Sequence, residues 1–269
     1  FQVTDLTLTE MDVLVVGGGA GGGKAVGGGG GGGGVLYSAG WKRSGATLFD
    51  VNVGNGGSGA VIQESGNSVA AAEGGESSFD DGNKPMTAFG GIRGPDDGYV
   101  GVAHGGACGV CLHGPWFCNG VNVSEAFNYD SSYTQKPGGL DSGTNRGGGG
   151  GGGAGQAALA TTDGNGTAGG YGIQSDISGT ATYYGGGGGG AHFSTFEGTS
   201  LMGAGGGLGG GGQGTGPNGV PGGDGLENSG GGGGGSGGRY GNESPIPAGG
   251  KGGSGVVIVR YKTPTVCNE

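Results

Sequence analysis

Eight consecutive glycines, Gly27 to Gly34, give the chain a stretch with no side chain to bury, and similar blocks recur at 17–19, 21–23, 147–153, 185–190, 203–212 and 230–235. Glycine makes up 86 of the 269 residues, about a third, where ordinary proteins hold about 7%. A run of this kind either stays a flexible linker or builds an interior from backbone alone. Collagen is excluded, because it needs a strict G-X-Y period and abundant proline, and the chain has only 9 Pro and no such period over most of its length. A plain linker is disfavoured by the 31% of apolar residues, which fall in strand-like blocks between the runs.

The ordered form open to such runs is polyglycine II, a helix of three residues per turn. It makes no internal hydrogen bond and rises about 3.1 Å per residue, so eight glycines span roughly 25 Å. Every N–H and C=O points outward and must find a partner on a neighbouring helix. Only glycine lets backbones approach on all sides, while a helix at the rim tolerates side chains on its outer edge. Residues 216–227 show that rim pattern in four consecutive triplets, Gly216-Pro-Asn, Gly219-Val-Pro, Gly222-Gly-Asp and Gly225-Leu-Glu. One run alone could not meet the ordering cost of about 1–2 kcal/mol per residue, but several of similar length can cooperate. The expected fold is therefore mainly irregular and β, a bundle of packed polyglycine II helices with short flanking strands and almost no α-helix. Gly27, Gly34, Gly147, Gly153, Gly185, Gly190, Gly230 and Gly235 bound the expected core runs.

Three regions follow from the composition. Residues 1–66 hold two expected strands (Leu6 to Thr9 and Asp12 to Val16), the first glycine block and a small β unit. Its Gly54-Asn-Gly-Gly has the composition of a hairpin turn. Residues 67–146 form an irregular insert rich in aromatics and cysteine. Residues 147–269 carry the remaining glycine blocks and end in Val256-Val-Ile-Val, a strand expected to share a sheet with Val13 to Val16. Together they are expected to make one compact unit.

The net charge of −10, with no cluster of Lys or Arg, argues against nucleic acid or an anionic membrane surface as partner. No apolar run approaches the roughly 18 residues of a membrane span. The chain starts at Phe1 rather than Met, which fits a removed leader or a start inside a longer precursor and so favours export. In an exported protein Cys108, Cys111, Cys118 and Cys267 are expected to form two disulfides, and spacing does not choose among the three pairings. The weaker alternative is a zinc site from Cys108, Cys111 and Cys118 with His113 or His104.

Catalytic signatures fail on inspection. Gly18-x4-Gly23-Lys24 resembles a phosphate-binding loop, but Ala25 stands where Ser or Thr would hold Mg²⁺, and glycines follow instead of a helix. Gly234-Gly-Ser236-Gly-Gly fits the nucleophile elbow only formally. No enzyme, cofactor or metal is expected. Asn122-Val-Ser and Asn165-Gly-Thr are glycosylation sequons, relevant in a eukaryotic secretory setting.

The order of these blocks, from Val-Val-Gly-Gly-Gly through polyglycine and Val51-Asn-Val-Gly-Asn-Gly-Gly to the terminal Gly-Gly-Ser-Gly-Val-Val-Ile-Val-Arg-Tyr, resembles the glycine-rich domains of phage and algal-virus tail-fibre adhesins and surface fibre proteins. The resemblance implies a rigid polyglycine sandwich whose tip loops contact a receptor. Two functions follow as expectations. The first is a structural subunit of an extracellular fibre or filament that assembles with itself through its terminal strands. The second is a receptor-binding adhesin at a viral fibre tip, on the virion surface. Trp116, Phe117, Tyr183, Tyr184, His192 and Phe193 would then meet a cell-surface glycan or protein.

Overall fold

The computed structural model describes residues 1–4, 8–42, 47–63, 65–82, 85–96, 147–158, 165–194, 203–216, 219–239 and 246–262. Among them there is no α-helix. Twelve short strands follow in chain order: β1 (Glu10–Val16), β2 (Val35–Lys42), β3 (Asp50–Asn52), β4 (Val61–Ile62), β5 (Ser68–Val69), β6 (Ser77–Asp80), β7 (Met86–Ala88), β8 (Ile173–Ser175), β9 (Thr182–Tyr184), β10 (Phe193–Ser194), β11 (Gly238–Arg239) and β12 (Val256–Arg260). The rest is irregular backbone, much of it glycine.

The strands earn their place by alternation. Odd residues of β1 (Met11, Val13, Val15) point into a cluster with Trp41, Phe49, Phe79, Met86 and Ala88, while Leu14 and Val16 point the other way, to Ile177 and Tyr184. Period-two side chains thus bury both faces of one strand. β1 is the middle of a three-stranded sheet ordered β12-β1-β2, with both pairings antiparallel. The sheet β3-β6-β7 covers one face, and the β8-β9 pair with the turn at Ile177 covers the other. Phe49 stacks on Phe79 at 5.0 Å, and Trp41 meets Phe79 edge-on at 6.1 Å. The expected pairing of the terminal apolar strands is present, with Val13 opposite Val259 and Val16 opposite Val256.

Each of the main strands runs directly into a glycine segment. The 17–23 run leaves β1, 27–34 enters β2, 54–60 leaves β3, 71–76 enters β6, 89–95 leaves β7, 165–172 enters β8, 185–192 leaves β9 and 248–255 enters β12. The molecule accordingly has a strand end and, at the other tips of the runs, a turn end. Gly54-Asn-Gly-Gly is not the expected hairpin turn. It opens the 54–60 run, and β3 pairs with β6. Its glycines pack against neighbours on several sides, and local composition does not distinguish that from a tight turn. Residues 5–7 of the expected first strand lie outside the described residues, and Leu8 and Thr9 are not in a strand.

Within the runs, hydrogen bonds change partner with a three-residue period. Along 27–34, the N–H groups of Gly27, Gly30 and Gly33 donate to the carbonyls of Ser236, Gly233 and Gly230. Those of Gly28, Gly31 and Gly34 donate to Pro95, Ile92 and Phe89, and those of Gly29 and Gly32 to Gly149 and Gly152. The 17–23 run does the same, with Gly17, Ala20 and Gly23 donating to Gly34, Gly31 and Gly28, Gly18 and Gly21 to Gly75 and Ala72, and Gly19 and Gly22 to Gly253 and Gly250. It also accepts from Gly57 and Ala60, from Gly91 and Gly94, and from Gly233 and Ser236. Six runs therefore surround this one, the coordination of hexagonally packed rods.

The runs at 185–192 and 230–237 are enclosed in the same way. The first donates into 209–216, 165–172 and 27–34 and accepts from 147–153, 203–208 and 230–237. Runs from both halves of the chain thus share one bundle. Gly27, Gly34, Gly147, Gly153, Gly185, Gly190, Gly230 and Gly235 are all buried. A Cβ on Gly188 would run into the carbonyl of Gly233, and one on Gly22 into that of Gly234. At the rim the demand relaxes. In 219–226, Cβ atoms on Gly222 and Gly225 would strike the carbonyls of Gly234 and Gly231, while Val220 and Leu226 face solvent. Gly205 has nothing near its outer side.

Gly188→Ala should cost about 1–3 kcal/mol or more through overpacking, a melting-temperature drop of roughly 2–12 °C for a domain of this size, whereas Gly205→Ala should be neutral. Equal melting curves for the two variants would overturn this account of the interior.

Candidate functional site

Two places hold polar side chains in a defined setting. The first is the turn end, where Lys24, Ala25 and Val26 join the 17–23 and 27–34 runs. Ala25 and Val26 have φ of 53° and 69°, a left-handed conformation that is costly for a β-branched residue. The N–H groups of Val26 and Gly27 both donate to the Ser236 carbonyl, and the Ser236 N–H donates to Gly23, which holds the turn closed. Lys24 is buried. Its ammonium meets Asp96 at 2.9 Å, and its backbone N–H donates to the same carboxylate. Asp96 is the last described residue before 97–146, so this pair fixes one root of that segment to the bundle.

The same geometry disposes of the phosphate-loop likeness. The N–H groups of 17–23 are spent on neighbouring carbonyls, and Lys24 is engaged by Asp96. Ser236, in the formal elbow, is fully buried and donates its hydroxyl to the Pro247 carbonyl at 2.6 Å. Among the described residues no group of three or more His, Cys, Asp or Glu side chains could hold a metal, and no helix is long and apolar enough to cross a membrane.

The second place is a groove of about 560 Å³ at the strand end, lined by Gly210, Gly211, Asp224, Gly225, Leu226, Glu227, Lys251 and Gly252. It lies where the 219–226 run stops short while 248–255 continues into β12. Asp224 accepts the Lys251 N–H at 2.7 Å, and Asn228 donates its N–H to Ser254 Oγ at 2.9 Å. Leu226 is 65% exposed on its floor.

The sequence-derived contact residues are dispersed. Tyr183 and Tyr184 lie in β9 at the strand end, and Tyr184 is buried in the core instead of displayed on a loop. His192 is buried at the turn end, with its N–H donating to the Thr215 carbonyl. Phe193 enters β10, which pairs with β11. Asn165 is exposed, while Trp116, Phe117 and Asn122 lie outside the described residues. The expectation of disulfides is corrected. No disulfide occurs among the described residues, whose fold is held by inter-run hydrogen bonds, and Cys108, Cys111, Cys118 and Cys267 all lie outside them. Sequence reading missed the role of Lys24, because a buried pair 72 residues apart in the chain leaves no local signal.

Over residues 1–262 the chain matches the model of the glycine-rich domain. It belongs to that family of non-helical, glycine-rich structural domains. Comparison with curated proteins gives no match.

Asp96→Asn should destabilise the fold by about 3–5 kcal/mol in urea titration, because it leaves the Lys24 ammonium buried without a counter-charge. Lys24→Met combined with Asp96→Leu should recover most of that loss, and a double variant as weak as the single one would refute the pairing. Two groups also set the response to acid. Burial holds the His192 imidazole below its ordinary 6.5, so the folded state binds its proton less readily than the unfolded chain does. The contribution is intact above that pH and is lost as pH falls from about 6.5 through the depressed folded value. At Asp12 burial pushes the carboxyl up, but the Gly40 N–H and the Arg260 guanidinium outweigh it, and the net pKa is below 3.8. Its contribution is present above 3.8 and lost below. His192→Gln should flatten the melting-temperature profile as pH falls below 6.5, and Asp12→Asn only as it falls below 3.8. Profiles parallel to the parent would contradict both assignments.

Proposed function

We propose that the glycine runs are polyglycine II helices and that the chain is a non-enzymatic structural subunit of an extracellular fibre or filament, self-assembling and built on this rigid core. The observation that carries the reading is the three-residue rotation of hydrogen-bond partners, with runs such as 17–23 bonded to six neighbours. Three residues per turn with no internal bonds is the polyglycine II pattern. A bundle cross-linked on every side resists bending, which suits a load-bearing element.

A second reading is favoured by one observation. The described residues that flank 97–146, 195–202, 217–218 and 240–245 all stand at the turn end, as does the β4-β5 hairpin. A receptor-binding adhesin at the tip of a viral fibre would present its connecting segments together in this way, toward a cell-surface glycan or protein. Export would make Asn165 open to glycosylation.

Electron cryo-microscopy of the purified chain tests both. Filaments with rods rising about 3.1 Å per residue are expected. Discrete particles with the same rods would transfer the assignment to the adhesin, and smeared density over 147–153 and 185–190 would sink both.

A further inference from the structure

The two edges of the central sheet are unequal. β2 is interrupted: Gly40 has φ +62°, the register shifts between Met11 and Val13, and the strand ends in Lys42. Bulges and terminal charges of this kind blunt an edge against pairing. β12 has no such protection. It is five residues long, Val256-Val-Ile-Val-Arg, pairs among the described residues only with β1, and its first four residues are half-buried. The other outer strands, β3 and β7, are three residues each. An unbroken β-branched edge without Pro, Gly or inward charge is a template for another strand. Beneath it opens the groove with exposed Leu226, so nothing in the described bundle rises to cover that side.

We infer that β12 is a homotypic interface, pairing antiparallel with β12 of a second copy about a twofold axis at Ile258. The inference rests on the reading of the chain as a self-assembling structural subunit, and it names the surface and register. Charge selects this occupant. With Ile258 opposite its own counterpart, Val257 faces Val259 of the second copy and Val256 faces Arg260. Two pairs further on, past Gly255 and Tyr261, Ser254 faces Lys262 of the second copy. Ser254 is hydrogen-bonded to Asn228, next to Glu227 on the groove floor, which makes no ion pair among the described residues. The exposed Lys262 of each copy therefore arrives beside Glu227 of the other, and the twofold axis makes both pairs at once. A six-stranded sheet results, with Leu226 covered at each end, as an isologous dimer requires.

Sedimentation velocity on the full chain, on Lys262→Glu, on Glu227→Lys and on the double reversal tests this, with amide exchange of 256–260 followed across the association. Each single reversal removes both symmetry-related pairs and should weaken association about five- to twentyfold at low ionic strength. The double reversal should restore it to within about twofold, and the β12 amides should gain protection on association. A chain that stays monomeric, or a double reversal no tighter than the singles, overturns the inference. So do assemblies that leave the β12 amides unprotected. The glycine lattice seen in density is a separate readout, so it can survive that result, whereas its loss would remove the subunit reading itself. If a single variant melts early, exchange in the parent chain decides the question alone.

Discussion

Among the described residues a buried glycine amide has to find its acceptor on another segment, in most cases a carbonyl and in a few a Ser or Thr hydroxyl, because neither a helix nor a sheet supplies one locally. That requirement governs the architecture. A polar backbone group buried without a partner costs as much as a lost hydrogen bond, and the cost is avoided only if several runs are in place together. The 17–23 run shows the consequence: its donors reach 27–34, 71–76 and 248–255 while three further runs donate to it. Removing any one neighbour leaves a row of unpaired groups at every third residue. Order in the bundle is thus collective, and it offsets an ordering cost that is largest for glycine.

Glycine cannot start such a structure, since it has no apolar surface to draw segments together. The strand end does that work. Leu14, Val13, Val15 and Val16 are fully buried in β1, and Phe79 and Met86 close one face of the sheet while Ile177 and Tyr184 close the other. Each of these strands feeds a glycine run, so the β core sets both the spacing and the direction of the rods. At the opposite end the Lys24–Asp96 pair and the left-handed turn at Ala25 and Val26 lock the tips. Conventional packing at one end and a buried ion pair at the other hold between them a middle made of backbone. The proposed function rests on this division, with backbone packing in the middle and side-chain packing at the ends.

Much of the architecture was legible in the residues. The glycine blocks, the scarcity of proline and the interspersed β-branched strands pointed to a mixed irregular and β fold, and the similarity of Val13–Val16 to Val256–Val259 pointed to their pairing. Of the triplets read over 216–227, Gly222 and Gly225 do form a bare edge against the bundle, whereas a Cβ on Gly219 would meet open space. Other elements were not legible. Gly54-Asn-Gly-Gly has the composition of a turn and is instead a packed run. Tyr183-Tyr184 looks like a loop contact, yet Tyr184 is core because β9 places it under the central sheet. Lys24 resembled a phosphate ligand, and the residue that engages it lies 72 positions away.

The sequence by itself determined what kind of interior was possible, because runs without side chains can be ordered only by backbone hydrogen bonds and only where no Cβ intervenes. It also determined where eight of the runs meet the sheets, since those adjoin short apolar strands. Tertiary structure alone decided which run lies beside which, which edge of the sheet is blunted and which is open, and which of the polar residues meet. Glycine runs are interchangeable in composition, and their neighbours are selected by the strands and turns that deliver them. The physical reason is that a glycine amide carries no address of its own.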